Sequence, residues 1–189
     1  MEDIIHIVNG LIAKDHKYQK IAYELYRGYA LKIVFRYIFS YEKALDVTND
    51  GFVKLLNNFE SFRCTDPKNI EKIFMGWIRR IMINTAIDEL RRNTMIEEAT
   101  TFPSAIWDIP DNREADQVIL YNDLLLIIKK LPMHYRIVFN MYVIDGYKHQ
   151  EIAQKLGITV GGSKSTLSRA RTILQHFIEQ EAKVIECSH

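Results

Sequence analysis

Asp145–Arg171 reads DGYKHQEIAQKLGITVGGSKSTLSRAR, and its pattern decides the fold. Lys148–Leu156 places Ile152, Ala153 and Leu156 on one side of a short helix, which Gly157 ends. After Gly161-Gly162 a second run sets Leu167, Ala170, Leu174 and Phe177 at steps of three and four. Helix, glycine-containing turn and second helix is the helix-turn-helix pattern. No Asp or Glu falls between Ile152 and Ile178, whereas Lys155, Lys164, Arg169 and Arg171 are basic. Lys164, Ser168 and Arg171 share one face of the second helix, with Ser165 and Arg169 beside it. Cations mixed with short hydroxyls near a helix N-terminus suit phosphate and guanine edges. The alternative is a basic, solvated surface helix.

The bulk numbers narrow the class. The 189 residues allow one or two domains, and 48% hydrophobic with 26% charged content is that of a globular protein. With 8 glycines, 4 prolines and long periodic stretches, the expectation is all-α. The net charge of +1 excludes a polycation that coats DNA, so nucleic-acid binding must rest on local charge segregation. Cys64 and Cys187 have no CxxC partner, which argues against a disulfide framework or a zinc site. The opening MEDIIHIVNG lacks the basic start of a secretory signal, and no apolar run approaches the roughly 20 residues that span a bilayer. A cytoplasmic protein without membrane insertion is expected.

Upstream, Met1–Ala13 is expected as a helix with Ile4, Ile5, Val8, Leu11 and Ile12 on one side. Tyr18–Phe39 is a longer one, carrying Ile21, Ala22, Leu25, Tyr29, Ile33, Val34 and Tyr37. Lys43–Asn58 turns Ala44, Val47, Phe52, Leu55 and Leu56 inward and leaves Asp46, Asn49 and Asp50 outside, either solvated or presented to a partner. Phe59–Ile73 breaks the pattern at Asp66-Pro67; its Phe59, Phe62, Arg63 and Lys68 suit either exposed aromatics that take up unstacked bases or a packed loop. Phe74–Arg92 is a helix with Trp77, Ile81, Thr85 and Asp88 on one line. Its Arg79, Arg80, Arg91 and Arg92 face only Asp88 and Glu89 in charge, with Trp77 and Asn84 between them, so it could lie along a nucleic-acid backbone.

Composition shifts at Thr94. Glu97–Asp116 holds six acids against Arg113, with Pro103 and Pro110, and reads as a linker. The expected organisation is a first helical domain at 1–94, an acidic linker at 95–114 and a second domain at 115–189. In the second, Ala115–Lys130 is an apolar helix and Pro132 opens another through about Tyr142. The helix-turn-helix completes a four-helix unit whose last helix extends to about Lys183. GSKS invites comparison with a phosphate-binding loop, but a helix precedes it where a strand is needed. The six histidines show no ligand spacing, and no nucleophile–base or paired-carboxylate arrangement stands out, so no catalytic residue, cofactor, metal or small-molecule substrate is expected.

LPMHYRIVFNMYVIDGYKHQEIAQKLGITVGGSKSTLSRAR resembles domain four of extracytoplasmic-function (ECF) sigma factors of bacterial RNA polymerase. ELYRGYALKIVFRYI, ALDVTNDGFVKLL and FMGWIRRIMINTAIDELRR are similar to domain two, in the family's order. The resemblance implies a promoter-specificity subunit rather than an enzyme. It implies docking of Asp46, Asn49, Asp50 and Phe52 on the β′ clamp of core polymerase, and domain-four contact with the β flap. It implies −10 contacts by Phe62, Arg63, Trp77, Arg80, Asn84 and Arg91, and −35 contacts by Lys164, Ser165, Thr166, Ser168, Arg169 and Arg171. An anti-sigma regulator is a typical partner of the family. The chain departs from the family pattern at Asn49, where glutamine is commoner, and at Gly51, where an aliphatic residue stands. Further departures are Gly162, where a larger residue stands, and Thr166, where arginine does. The rival readings are a dimeric helix-turn-helix regulator, which would bind half-sites alone, and a sigma-like decoy that sequesters an anti-sigma factor.

Overall fold

The computed structural model describes residues 4–92 and 115–186, with side chains over 4–92 and 122–180. The described residues are helical and contain no strand, as the periodicity requires. Helical packing separates two units, Met1–Pro110 and Asp111–His189. The expected linker, 95–114, lies outside the described residues.

In the first unit, α1 (Ile4–Ile12), α2 (His16–Ile38), α3 (Tyr41–Asn57) and α4 (Ile70–Arg92) pack around α2, with single 3-10 turns at Phe59–Ser61 and Pro67–Asn69. Asp15 caps α2 by accepting from the Lys17 backbone N–H at 2.8 Å. From Ala30 to Phe39 every residue except Lys32 is buried, because α1, α3 and α4 all pack on α2. Each such Val, Leu, Ile or Phe contributes about 1.5–3 kcal/mol of transfer free energy.

Two assignments on these helices change. In α1 the buried stripe is Ile7, Val8 and Leu11, while Ile5 and Ile12 are exposed. The contact face follows the Ile7 side of the wheel, so Ile5 and Ile12 lie on its flank. Leu25, expected inward, is 53% exposed on α2. Phe39 ends α2 in the left-handed region, φ 53°, donating its N–H to the Phe35 carbonyl at 2.9 Å. Its fully buried ring lies edge-on to Phe35, 5.5 Å away, so burial offsets the steric cost of that backbone.

Gly51 sits inside α3, where a Cβ would collide with the Met82 thioether of α4. The missing side chain lets α3 and α4 close up, and Met82, itself fully buried, fills the space. Helix propensity is given up here for packing.

In the second unit, α5 (Ala115–Lys129), α6 (Met133–Phe139), α7 (His149–Leu156) and α8 (Val160–Glu186) bury Leu125, Ile128, Leu131, Val138, Met141, Ile152, Leu167, Ala170 and Leu174. The expected helix to Tyr142 stays α-helical only to Phe139 and then widens into a π turn, Asn140–Ile144. Asp145 N–H bonds back to the Asn140 carbonyl at 2.9 Å, and Tyr147 N–H to that of Met141 at 2.9 Å. Buried Arg136 donates to the Lys129 and Leu131 carbonyls at 3.1 and 3.4 Å, capping the end of α5 with a cation.

Candidate nucleic-acid interface

Gly157, φ 67°, ends α7 and donates to the Ala153 carbonyl, a conformation only glycine takes without strain. At the other end, Glu151 reaches back to accept from the Lys148 N–H at 2.8 Å. The second helix begins earlier than its glycines suggested. Thr159 Oγ1 accepts from Gly162 N–H at 2.9 Å, so Gly161 and Gly162 form the first turn of α8 instead of preceding it.

Along α8, Ser163, Leu167, Ala170 and Leu174 are buried, and the rotation this imposes turns Lys164, Ser165, Ser168 and Arg169 to solvent. Thr166 is half-buried, and Ser165 Oγ donates to the Gly162 carbonyl at 3.0 Å. Arg171 is exposed, yet its guanidinium lies 5.9 Å from the centroid of the Tyr142 ring.

His149, which the sequence did not single out, sits at the joint between the two helices. Its Nδ1 is 2.9 Å from Oγ of fully buried Ser163, and its ring stacks on Tyr142 at 4.4 Å. Burial first, then Lys164 and Arg171, hold its imidazole below the ordinary value.

The loop in the first unit resolves one alternative left by the sequence. Phe59 and Phe62 are not exposed; they are 3% and 8% accessible and pack with Phe74 and Trp77. Trp77 stands 5.4 Å from Phe59 and 5.3 Å from Phe62, half-buried. The cluster continues to Tyr26, edge-on to Phe74 at 5.2 Å, whose hydroxyl is pushed up to about 12 by burial and next by Glu71. Expected as a base-stacking surface, Phe62 in this structure is a core residue. Arg63 is exposed and donates to the Glu60 and Phe62 carbonyls. Asp66 accepts from the Lys68 backbone and from the Asn69 amide, capping the 3-10 turn Pro67–Asn69, and α4 follows it directly at Ile70 instead of starting at Phe74.

Trp77, Arg80, Asn84 and Arg91 follow one another by three, four and seven residues and run along one face of α4. Arg80 and Arg91 are exposed. Trp77 and Asn84 line a cleft of about 290 Å³ with Ile81, Thr85 and Asp88 of α4, Lys54 of α3, Asn58 at the end of α3, and Ser61. Lys54 and Asp88, both in the lining, pair at 3.6 Å. Ser61 belongs to the loop that the sequence already offered for bases, whereas Lys54 and Asn58 were not legible, because only the α3–α4 packing brings them to Trp77.

Asp46, Asn49 and Asp50 are exposed together on α3, and Val53, 57% exposed, continues the face one turn on. Phe52, expected beside them at the docking surface, is 4% exposed and packs edge-on to Tyr23 at 5.0 Å. It anchors α3 to α2 and is not presented. One turn before Asp46 on the same helix, Lys43 binds Glu89 of α4 at 2.7 Å.

One unit with a helix-turn-helix and its cation-and-hydroxyl face, and another whose long helix carries arginines and a tryptophan-lined cleft, define a DNA-binding protein of two helical units. The chain belongs to the sigma-70 family of RNA polymerase sigma factors, in its ECF group: Sigma-70 region 2 matches residues 22–95 and Sigma-70, region 4 matches residues 121–174. It is 26% identical over 164 residues to the ECF RNA polymerase sigma factor SigW of Bacillus subtilis, covering 80% of this chain and 84% of that one. The ECF RNA polymerase sigma-E factor of Escherichia coli is 25% identical over 170 residues, 82% of this chain and 83% of that one. In fold it is similar to the sigma factor RpoE from Bartonella quintana, solved with the anti-sigma factor NepR. The TM-score is 0.53 at 18% identity, over 85% of this chain and 96% of that one. Sigma factors are regulators of transcription initiation, and among the described residues no helix is long and apolar enough to cross a membrane.

Proposed function

We propose that this protein recruits core RNA polymerase and selects promoters by reading −35 and −10 elements. The exposed row Lys164, Ser165, Ser168 and Arg169 carries the reading: leucine and alanine burial on the opposite side turns it to solvent, and it offers the donors that suit a major groove. Arg171 contributes to phosphate from beside Tyr142, and Thr166 from the edge of the row. Trp77, Asn84 and Ser61 take up an unstacked −10 base in their cleft while Arg63, Arg80 and Arg91 follow the strand. Flipping a base costs a few kcal/mol and stacking returns about 1–3 kcal/mol, a near balance that polymerase must tip. Asp46, Asn49, Asp50 and Val53 dock on the β′ clamp, with the β flap engaging the second unit.

The working division is 1–94, 95–114 and 115–189, with the acidic 95–114 as tether between the two readers. Such a factor acts in the cytoplasm, where polymerase is. An anti-sigma protein as regulator is supported by likeness to a sigma factor solved with one. In vitro transcription tests the function: purified protein with core polymerase on genomic fragments, followed by start-site mapping. Recurrent paired elements upstream of the starts are expected; tight half-site binding without polymerase would favour the dimeric regulator, and no initiation even with core polymerase present would favour the decoy.

A further inference from the structure

Two contacts hold α8 from the same side, and they are eight residues apart. Ser163 Oγ meets His149 Nδ1 at 2.9 Å in the first turn of α8, and Arg171 lies over the Tyr142 ring at 5.9 Å. His149 and Tyr142 are themselves stacked at 4.4 Å with 23° between their planes. The result is a continuous bracket, Ser163–His149–Tyr142–Arg171, gripping α8 at points about 12 Å apart along its axis.

Its anchors are not on α8. Tyr142 stands in the π turn, where the extra residue re-aims the side chain, and His149 is the first residue of α7, after the Glu151–Lys148 cap. Apolar packing alone leaves a helix some freedom to roll, because Leu167, Ala170 and Leu174 form a smooth stripe. A directional hydrogen bond to a fully buried hydroxyl removes that freedom. A roll of about 20° would move a side-chain tip about 6 Å from the axis by about 2 Å, enough to break a bidentate base contact.

We infer that His149 is a positioning residue for promoter reading: through Nδ1 and Ser163 it fixes the rotation of α8, and with it the base register of Lys164, Ser165, Ser168 and Arg169. The inference rests on α8 being the −35 reader. The groups facing His149 are Ser163, Lys164 and Arg171 of α8 and Tyr142 of the π turn. Burial, then the two cations, favour the neutral form of the ring in this position.

The test uses full-length protein in holoenzyme, comparing initiation on a promoter with its −35 element intact and scrambled. His149→Phe keeps an aromatic ring for Tyr142 but has no Nδ1; His149→Asn places an amide near Nδ1; Ser163→Ala removes the partner. His149→Phe and Ser163→Ala should each reduce −35 discrimination about fivefold, as expected for one directed hydrogen bond. The asparagine variant should recover most of it, and the double variant H149F/S163A should be no worse than either single one. Core affinity and −10 dependence should stay unchanged. Thermal unfolding identifies variants that fail to fold, and where H149F does, Ser163→Ala against His149→Asn decides. Discrimination within twofold of wild type in folded Ser163→Ala overturns the inference, as does asparagine proving no better than phenylalanine. If Lys164→Ala and Arg169→Ala also leave discrimination intact, the −35 reading of α8 itself has failed, which is a separate result.

Discussion

The Tyr23 hydroxyl of α2 donates to Asn49 Oδ1 of α3 at 2.9 Å, across 26 residues of chain. Asn49 stands between Asp46 and Asp50 on the exposed face of α3, so the bond orients the amide within the proposed polymerase-docking surface. Glutamine, commoner here in the family, carries one more methylene and would overshoot that geometry.

Charge reversal of Asp46 and Asp50 to Lys is expected to abolish holoenzyme formation in a core-binding titration. Tyr23→Phe should weaken it only severalfold, the worth of one exposed hydrogen bond. Unchanged core affinity in the double reversal would remove the docking surface.

Lys164→Ala with Arg169→Ala should cost about 1–3 kcal/mol of −35 discrimination for each side chain that reads a base, while core association stays intact. Electrophoretic mobility shifts of holoenzyme on intact and mutated −35 duplexes measure it. Parallel loss of both activities would contradict the separation of reader and dock.

Phe62→Ala should destabilise the first unit by about 3–5 kcal/mol, because the ring closes the Phe59–Phe74–Trp77 cluster. Arg63→Ala, one residue away but exposed, should stay within about 0.5 kcal/mol of wild type in urea unfolding. Only the second is then a clean probe of −10 contact.

Gly51→Ala should lower the Tm despite a helix-propensity gain of about 1 kcal/mol, since the new methyl meets Met82 in a filled core. On a Met82→Ala background the same substitution should raise stability. Calorimetry of the four proteins gives the cycle, and additive effects would exclude the clash.

The His149 imidazole is held below its ordinary 6.5 by burial, then by Lys164 and Arg171. The unfolded chain therefore takes up this proton more readily than the folded one. The contribution is complete above 6.5 and is lost as pH falls through the lower folded value. Melting at about pH 7.5 and about pH 5.5 should show wild type losing more stability than His149→Asn. Equal losses would place the acid sensitivity elsewhere.

Much of the fold follows from local pattern. The helix-turn-helix was legible because Ile152, Leu167, Ala170 and Leu174 repeat at helical steps and Gly157 marks the break. The face of α8 followed from the same wheel. What local pattern could not carry was burial decided by distant partners. Phe59 and Phe62 look like loop aromatics until α4 supplies Phe74 and Trp77; Leu25 and Ile12 look like core until no neighbour covers them. Thr159 displaced the start of α8 because its cap makes two helical glycines tolerable, and a glycine pair by itself reads as a turn. The roles of Lys54 and Asn58 exist only once α3 and α4 are side by side.

The left-handed Phe39 makes the α2–α3 corner depend on a ring instead of on backbone ease. Glycine would relax the turn and leave a hole where an aromatic had been; alanine would keep the strain and fill nothing. An engineer stabilising this protein by the usual rule of putting glycine wherever φ is positive would therefore loosen the hinge from which the acidic face of α3 is hung.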